Sequence, residues 1–432
     1  MVGKLNIFQR TMLQWSGVHP YNAVHVVRVG RPLDLPRLTK TINEELERLG
    51  LTGLSIRRAQ GTFRYEGGPG DYHLRVLSDV EDNHSLIQRE METEVNTGFT
   101  DEGALRPFRF FVIREEKGFS LGLTYFHVIA GAESIILLLR HFVCKYLDQE
   151  PPGFSFPLEI YPRGYGRLLP QKARLLIRKF SAIPAQITDL RRSSKPGHHD
   201  VDDQSNGLVV FSLTAPELQA LLRTAKGWGI TLNDLFLGIL LKCLSPFASK
   251  RFTAPRRTRI SVGSIVNIRK DLKINSLKTF GLFLGSFTVS HPVPEGITLE
   301  ALSREVREQT LRIKEDKLYL GTPMELWLGR VLLSFHSPGG RKKFYTKRYP
   351  LWGGITNMNL NPLWPMGKGE GVIDYFRAVS TGPITPLVLS ITTVRDIVNI
   401  GLTYKKTVFT PSGVKTLISD FRKHIQRVEV EP

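Results

Sequence analysis

The order of apolar and polar residues along the first 150 positions predicts alternating strands and helices. β-Branched residues fill the segment 22–30, which ends at Gly30, and this composition is typical of a strand. Between 35 and 49 the apolar residues recur every three or four positions, as on a helix with one buried face. The elements predicted for this half are strands over 22–30, 106–114 and 119–125, a helix over 35–49 and an almost wholly apolar, buried helix over 133–147.

The second half of the chain repeats this order of elements. Thr214 and Glu217 form the sequence signature of a capping box, in which two side chains satisfy the free amides at a helix start. Because each half runs strand, helix, strands and buried apolar helix, the sequence predicts an α/β protein of two similar lobes. The elements predicted here are strands over 208–213, 258–268, 282–290, 386–393 and 397–404, helices that begin after Thr214 and Thr231, and helices over 298–316 and 411–427.

A change of composition near Pro151 predicts the boundary between the lobes. The segment 163–195 carries nine lysines and arginines against one acidic residue, with aliphatic residues between them. The polar stretch 193–207 is typical of an exposed linker. The predicted organisation is an N-terminal lobe over 1–160, a basic amphipathic crossover over 161–207 and a C-terminal lobe over 208–432.

The overall composition is that of a globular protein. With 432 residues, of which 41% are hydrophobic and 23% charged, the chain can bury two cores without disulfides. Cys144 and Cys243 have apolar neighbours, so we expect two buried free thiols, with a disulfide as the alternative. No segment reaches the roughly 18 to 20 apolar residues of a transmembrane helix, and the N-terminus lacks the apolar core of a signal peptide, so we expect a cytoplasmic protein.

His127 is the best candidate for chemistry in the sequence. It follows an apolar strand and precedes a turn at Gly131 and the predicted helix over 133–147. An imidazole titrates closest to neutral pH, so a histidine fixed at a strand end is suited to remove a proton from an alcohol or an amine. The alternative is a core histidine that is bonded to a backbone carbonyl.

The segment 126–132 resembles the His-His-x-x-x-Asp-Gly motif of the chloramphenicol-acetyltransferase-like superfamily. That superfamily includes nonribosomal-peptide condensation domains, polyketide-associated acyltransferases and bacterial wax ester synthases. The resemblance assigns His127 as the catalytic histidine, and Ser134 matches a serine that often follows the motif. Phe126 stands at the first histidine and Gly131 at the aspartate. In the family the aspartate pairs with an arginine that braces the histidine's loop, so its absence weakens the expected support of His127.

Four further segments extend the resemblance, in the family's order, over almost the whole chain. Arg269 matches the arginine that pairs with the missing aspartate, which leaves it either without a partner or facing Glu133. Asn357 and Ser390 are candidates for stabilising the oxyanion of a tetrahedral intermediate. The matching segments are 231–241, 262–269, 354–359 and 387–404.

The resemblance implies two lobes of mixed sheets with flanking helices around a central tunnel. A thioester donor, on coenzyme A or on an acyl carrier protein, would enter from one side and an alcohol or amine acceptor from the other. His127 would deprotonate the acceptor, and no permanently bound cofactor and no metal is expected. Since Gly131 replaces the aspartate, the alternative is a catalytically silent relative that binds a ligand or a partner.

The net charge of +19 and the basic segment 163–195 indicate an anionic partner. The segment matches the place of a basic amphipathic helix in wax ester synthase-like members. It is interpreted as a solvated linker helix, as a surface that rests on an anionic membrane at the inner face, or as a docking site for an acidic carrier protein. Nucleic-acid binding is not expected, because the basic residues alternate with aliphatic and not with aromatic residues.

Overall fold

The computed structural model describes residues 2–78, 82–99, 105–154, 158–160, 188, 191–334, 337, 340, 344–345, 349–365 and 371–430. The strands are β1 (Val2–Lys4), β2 (Asn22–Val29), β3 (Leu54–Arg57), β4 (Thr62–Tyr65), β5 (Leu74–Leu77), β6 (Phe108–Glu115), β7 (Gly118–Phe126), β8 (Glu159–Ile160), β9 (Asn206–Leu213), β10 (Ile260–Asn267), β11 (Thr279–Phe280), β12 (Leu284–His291), β13 (Gly353–Asn359), β14 (Val372–Val379), β15 (Leu387–Val394) and β16 (Ile397–Lys405). The helices are α1 (Ile7–Ser16), α2 (Leu35–Leu49), α3 (Asn83–Asn96), α4 (Ala132–Tyr146), α5 (Ala215–Gly227), α6 (Leu232–Leu244), α7 (Arg269–Leu272), α8 (Leu299–Glu315), α9 (Thr322–Ser334) and α10 (Pro411–Val430).

Two large mixed sheets organise these elements. The N-terminal sheet has the strand order β14-β2-β7-β6-β5, and the C-terminal sheet has the order β12-β10-β13-β15-β16-β9. Most neighbouring strands are antiparallel, but β5 and β6, β10 and β13, and β13 and β15 run parallel. The predicted fold class, an α/β protein with two lobes of mixed sheets and flanking helices, is confirmed.

Each sheet buries its own apolar core beneath one nearly all-apolar helix. The leucines and isoleucines of α4 are enclosed in the N-terminal core, and those of α6 in the C-terminal core. Full burial of one such side chain stabilises the fold by roughly 1.5–3 kcal/mol. Both helices were predicted as buried from their composition, and both cysteines, Cys144 on α4 and Cys243 on α6, are buried free thiols as expected.

A third apolar cluster joins the two sheets through α3. Leu86 and Met91 of this helix pack against Val26 of the N-terminal sheet and against Leu208 and Val210 of the C-terminal sheet. Helix α3 was not predicted, because its buried face includes two glutamates that the hydrophobic pattern assigns to solvent. Both are neutralised by arginines of β5 and β6, in the pairs Arg75–Glu90, Arg75–Glu94 and Arg109–Glu94.

Strand β14 also joins the lobes. It comes from the second half of the chain but pairs antiparallel with β2, with Arg377 opposite His25. The predicted boundaries at residues 160 and 207 stay a prediction. Most of the basic segment 163–195 lies outside the described residues. Its interpretation as a membrane or carrier surface therefore stays a prediction.

The prediction of an exposed linker over 193–207 is wrong for several of its residues. Ser193, Ser194, Gln204 and Asn206 are buried. The polar side chains are satisfied inside the protein, since the Asn206 side-chain oxygen accepts hydrogen bonds from the backbone amide and the hydroxyl of Thr381, at 2.9 and 2.6 Å. A polar composition therefore did not mean solvent exposure here.

Within the described part of the chain, no single helix has the length and apolar composition needed to cross a membrane. One bent pair, α5 and α6, meets the length and composition requirement with an angle of 101° between its members.

The close approach of β16 to β14 gives a test of how the lobes are joined. A Cβ atom at Gly401 would lie 2.3 Å from the backbone oxygen of Arg377, so Gly401→Ala forces two backbones apart. We expect it to lower the free energy of unfolding by about 3 kcal/mol, the upper end for overpacking, in a denaturant titration. Gly263→Ala on β10 is the control, because its Cβ would meet nothing closer than 3.8 Å. Equal stability of the two variants would contradict this packing.

Candidate active site

His127 lies immediately after β7, a strand that is buried along its whole length. Its backbone amide donates to the carbonyl of Tyr21 at 3.2 Å, which ties the strand end to the loop before β2. The imidazole stacks on the Tyr21 ring with a centroid distance of 5.5 Å and meets the edge of Tyr125 at 5.6 Å. Two rigid aromatic rings therefore hold the orientation of the histidine.

One hydrogen bond defines the tautomer of His127. Nδ1 lies 3.0 Å from the carbonyl oxygen of Ala130. Because a carbonyl oxygen only accepts hydrogen bonds, Nδ1 carries the proton and Nε2 is the unprotonated nitrogen. Nε2 has no hydrogen-bond partner among the described residues, so its lone pair is free to act as a base.

Burial keeps this imidazole neutral. His127 is 9% exposed, and desolvation lowers its pKa to about 4, with a smaller contribution from the positive charge of Arg377. The hydrogen bond to Ala130 opposes this shift in part. At neutral pH the ring is therefore uncharged, which is the form that accepts a proton.

A cavity of about 720 Å³ lies between the two sheets, and His127 lines it. Three of the other predicted site residues also line it: Arg269, Asn357 and Ser390. Ser134 does not line the cavity. Its hydroxyl accepts a hydrogen bond from Arg269 at 2.5 Å and donates one to the carbonyl of Gly281 at 3.1 Å. Its place in the structure is behind the wall of the cavity, where it positions Arg269.

Glu133 is the acidic partner of Arg269. The Arg269 Nε atom lies 3.8 Å from the carboxylate of Glu133, which also accepts from Asn267 and Ser276. Arg269 also donates to the carbonyl of Thr279 at 3.1 Å. Arg269 was expected either to lack a partner or to face Glu133, and in the structure it faces Glu133.

Gly131 is the N-cap residue of α4 and has no side chain to cap the helix. Its amide donates to the carbonyl of Gly281 at 3.1 Å, so the turn after His127 is bound to the C-terminal half of the chain by its backbone. A Cβ atom here would meet nothing closer than 3.8 Å. The site therefore has room for a side chain, and the glycine is not required by crowding.

Ser390 and Asn357 lie on neighbouring parallel strands, β15 and β13. The Ser390 hydroxyl is buried and has no hydrogen-bond partner among the described residues. An unpaired buried hydroxyl is costly unless a molecule in the cavity supplies the partner. Asn357 lines the same cavity.

Sequence reasoning missed two polar residues of this cavity, His25 and Arg377. The Nδ1 atom of His25 lies 2.7 Å from the hydroxyl of Tyr375, and burial keeps the pKa of His25 well below its usual value. Arg377 is buried beside it on β14. The available signal was a pair of charged residues, Asp374 and Arg377, inside an otherwise apolar, β-branched and aromatic run over 372–379, which was not assigned as a strand.

The architecture matches solved condensation domains over the whole chain. The first condensation domain of the calcium-dependent antibiotic synthetase superposes with a TM-score of 0.73 at 14% identity, covering 100% of this chain and 98% of that chain. The EpoB cyclization-docking bidomain from Sorangium cellulosum gives 0.72 at 13% identity, covering 100% and 85%. The condensation domain of the Monacolin K polyketide synthase MokA gives 0.67 at 10% identity, covering 100% and 98%.

The sequence comparisons are weaker. A plipastatin synthase from Bacillus subtilis (strain 168) is 24% identical over 255 residues, which cover 56% of this chain and 9% of that protein. No protein-family model matches the sequence. The fold is that of these condensation domains, as the resemblance predicted.

The buried neutral state of His127 predicts a pH dependence of stability. An unfolded imidazole titrates near 6.5, whereas the folded pKa is about 4, so between these values the unfolded state binds more protons. The free energy of unfolding therefore falls as the pH is lowered from about 6.5 to about 4, and protonation of His127 accounts for about 3 kcal/mol of this loss. In His127→Gln this part of the dependence disappears. The difference in unfolding free energy between wild type and variant, measured at about pH 7 and pH 4, checks it, and a constant difference would contradict it.

Proposed function

We propose that the protein is an acyltransferase that moves an acyl group from a thioester to an alcohol or amine, with His127 as general base. The observation that supports this most directly is the free Nε2 lone pair of His127 beside a cavity between two lobes. Solved structures with this fold include condensation, cyclization and epimerization domains of synthetases.

The reaction that these residues support has two proton transfers. The acceptor oxygen or nitrogen attacks the thioester carbonyl carbon while His127 Nε2 removes its proton. The tetrahedral intermediate then collapses, the C–S bond breaks, and the imidazolium returns the proton to the leaving thiolate. The products are an ester or amide and a free thiol, and no covalent acyl-enzyme is formed. Such general-base assistance contributes roughly 10²- to 10⁴-fold.

Asn357, or alternatively Ser390, is proposed to stabilise the oxyanion of the intermediate. The Ser390 hydroxyl is buried without a described partner, and both residues line the cavity. A donor fixed in a dry site needs no reorganisation when the charge develops, and such donors typically contribute about 3–4 kcal/mol. Arg269 is proposed to act indirectly, by bracing the helix start through Ser134 and Glu133.

The donor is proposed to be a carrier-protein thioester, with acyl-coenzyme A as the alternative, and neither needs a permanently bound cofactor. The net charge of +19 supports an acidic carrier protein as partner, because opposite charges accelerate and orient association. The cytoplasmic location and the contact of segment 163–195 with an anionic inner-membrane surface stay predictions.

Replacement of His127 tests the proposed function. Purified protein is incubated with acyl-coenzyme A donors of short, medium and long chain length or with the same acyl groups on a carrier protein, together with amine and alcohol acceptors. Release of free thiol is measured. We expect His127→Ala to lower the turnover by about 10²-fold or more. His73→Ala is the control, since this side chain is 86% exposed.

Two results would contradict the proposal. Unchanged turnover in His127→Ala would exclude this histidine as the base. Binding of acyl thioesters without release of thiol, from every donor, would identify the chain as the catalytically silent binding protein that the loss of the motif aspartate suggests.

A further inference from the structure

Arg377 is a buried cation whose hydrogen-bond partners are all neutral. It is 5% exposed and lines the cavity. Its Nε atom donates to the hydroxyl of Thr392 at 2.8 Å, and Nη2 donates to the carbonyls of Thr356 and Ile391 at 2.6 and 2.8 Å. Nη1 has one long contact, 3.3 Å, with the Thr356 hydroxyl. One Nη1 hydrogen therefore has no partner among the described residues.

Arg377 has no negatively charged group next to it among the described residues. No carboxylate among the described residues forms an ion pair with it, and burial lowers its pKa to about 10. Burying a charge without a counter-ion is costly, so a site of this kind gains free energy when an anion enters. Arg269, on the same cavity, differs because Glu133 lies 3.8 Å away.

Arg251 shows what a purely structural buried arginine looks like in this protein. It is 1% exposed, and Nε, Nη1 and Nη2 donate to backbone carbonyls and to the hydroxyl of Ser245, with a contact for every hydrogen. It does not line the cavity. Arg377 keeps one donor free and presents it to a cavity, which is the arrangement of a binding residue.

Two independent features of the cavity point to an anionic occupant. The buried Ser390 hydroxyl lacks a described partner and lines the same cavity as Arg377. Apart from Arg377, the lining residues include four arginines against two glutamates: Arg191, Arg257, Arg269 and Arg330, with Glu133 and Glu325. Clefts lined by one sign of charge concentrate ligands of the opposite sign.

We propose that Arg377 and the Ser390 hydroxyl bind a carboxylate of the molecule that occupies this cavity, so that the acceptor is an amine or alcohol carrying a carboxylate. A guanidinium binds a carboxylate through charge-assisted hydrogen bonds, and the hydroxyl adds a neutral donor. The identification of this molecule as the acceptor rests on the proposed function. The anion site itself needs no turnover.

A pair of probes that differ only in charge tests the proposal. 6-Aminohexanoate and 6-aminohexanamide have the same chain and the same amine, and their dissociation constants are measured at fixed ionic strength by ligand-observed NMR. We expect wild-type protein to bind the carboxylate about tenfold more tightly or better, the size of one charge-assisted hydrogen bond. In Arg377→Gln the preference should fall to about one, because any change of the cavity that follows from the lost contacts of Arg377 affects both probes alike.

Three further variants make the test specific. Arg257→Gln removes the same charge elsewhere on the cavity lining and should keep most of the preference. His127→Ala should keep it fully, which separates failure of the anion site from failure of the catalytic proposal. If Arg377→Gln does not fold, Ser390→Ala serves instead and should weaken carboxylate binding several-fold without affecting the amide.

Equal binding of the two probes to wild-type protein would overturn the proposal. Persistence of the preference in Arg377→Gln would also overturn it. If neither probe shows a charge preference and Arg377→Lys still lowers thiol release, Arg377 acts on the oxyanion of the intermediate and not on a substrate carboxylate.

Discussion

The position of strand β14 is the constraint on which the cavity depends. The strand is paired with β2 in one sheet, while the side chain of its Arg377 binds carbonyls of β13 and β15 in the other. Its backbone also touches Gly401 of β16, where any side chain would collide. A rigid, planar guanidinium with two carbonyl partners fixes both the distance and the angle between β14 and the other sheet. The walls that carry His127 and Ser390 are held by the same contacts.

Arg377 both joins the two sheets and affects the candidate base, His127. A residue that joins two lobes could have been apolar, since apolar contacts associate sheets without a desolvation cost. The structure instead has a charge beside His127, where it helps to lower the pKa of the imidazole. A base with a pKa of about 4 is always unprotonated at neutral pH, but it is a weak base. Desolvation causes most of this shift, and the charge of Arg377 adds a smaller part.

An acidic residue at the start of α4 links the two halves of the chain. Glu133 pairs with Arg269 from the first turn of α4, where a negative charge also interacts favourably with the helix dipole. The backbone amide of Gly131 supplies a second link between the same two segments. The turn that follows His127 is therefore bound at both ends, to Tyr21 and to Gly281.

Much of the fold was predictable from the sequence, because the residues around both cores follow strand and helix periodicities. The position of His127 was also predictable, since a buried strand runs directly into it. Helix α3 was not, because Glu90 and Glu94 are buried through pairs with arginines of other elements. Arg377 was missed for a similar reason: its burial depends on carbonyls from strands that the sequence does not bring near it.

The protonation state of His127 is the quantity that tests the central claim most directly. In protein labelled with ¹⁵N-histidine, the ring signals of His127 are assigned by their absence from the His127→Ala spectrum. The proposed chemistry predicts a neutral ring at neutral pH, with the proton on Nδ1 and an unprotonated Nε2. A ring protonated at Nε2, or an imidazolium at that pH, would contradict it.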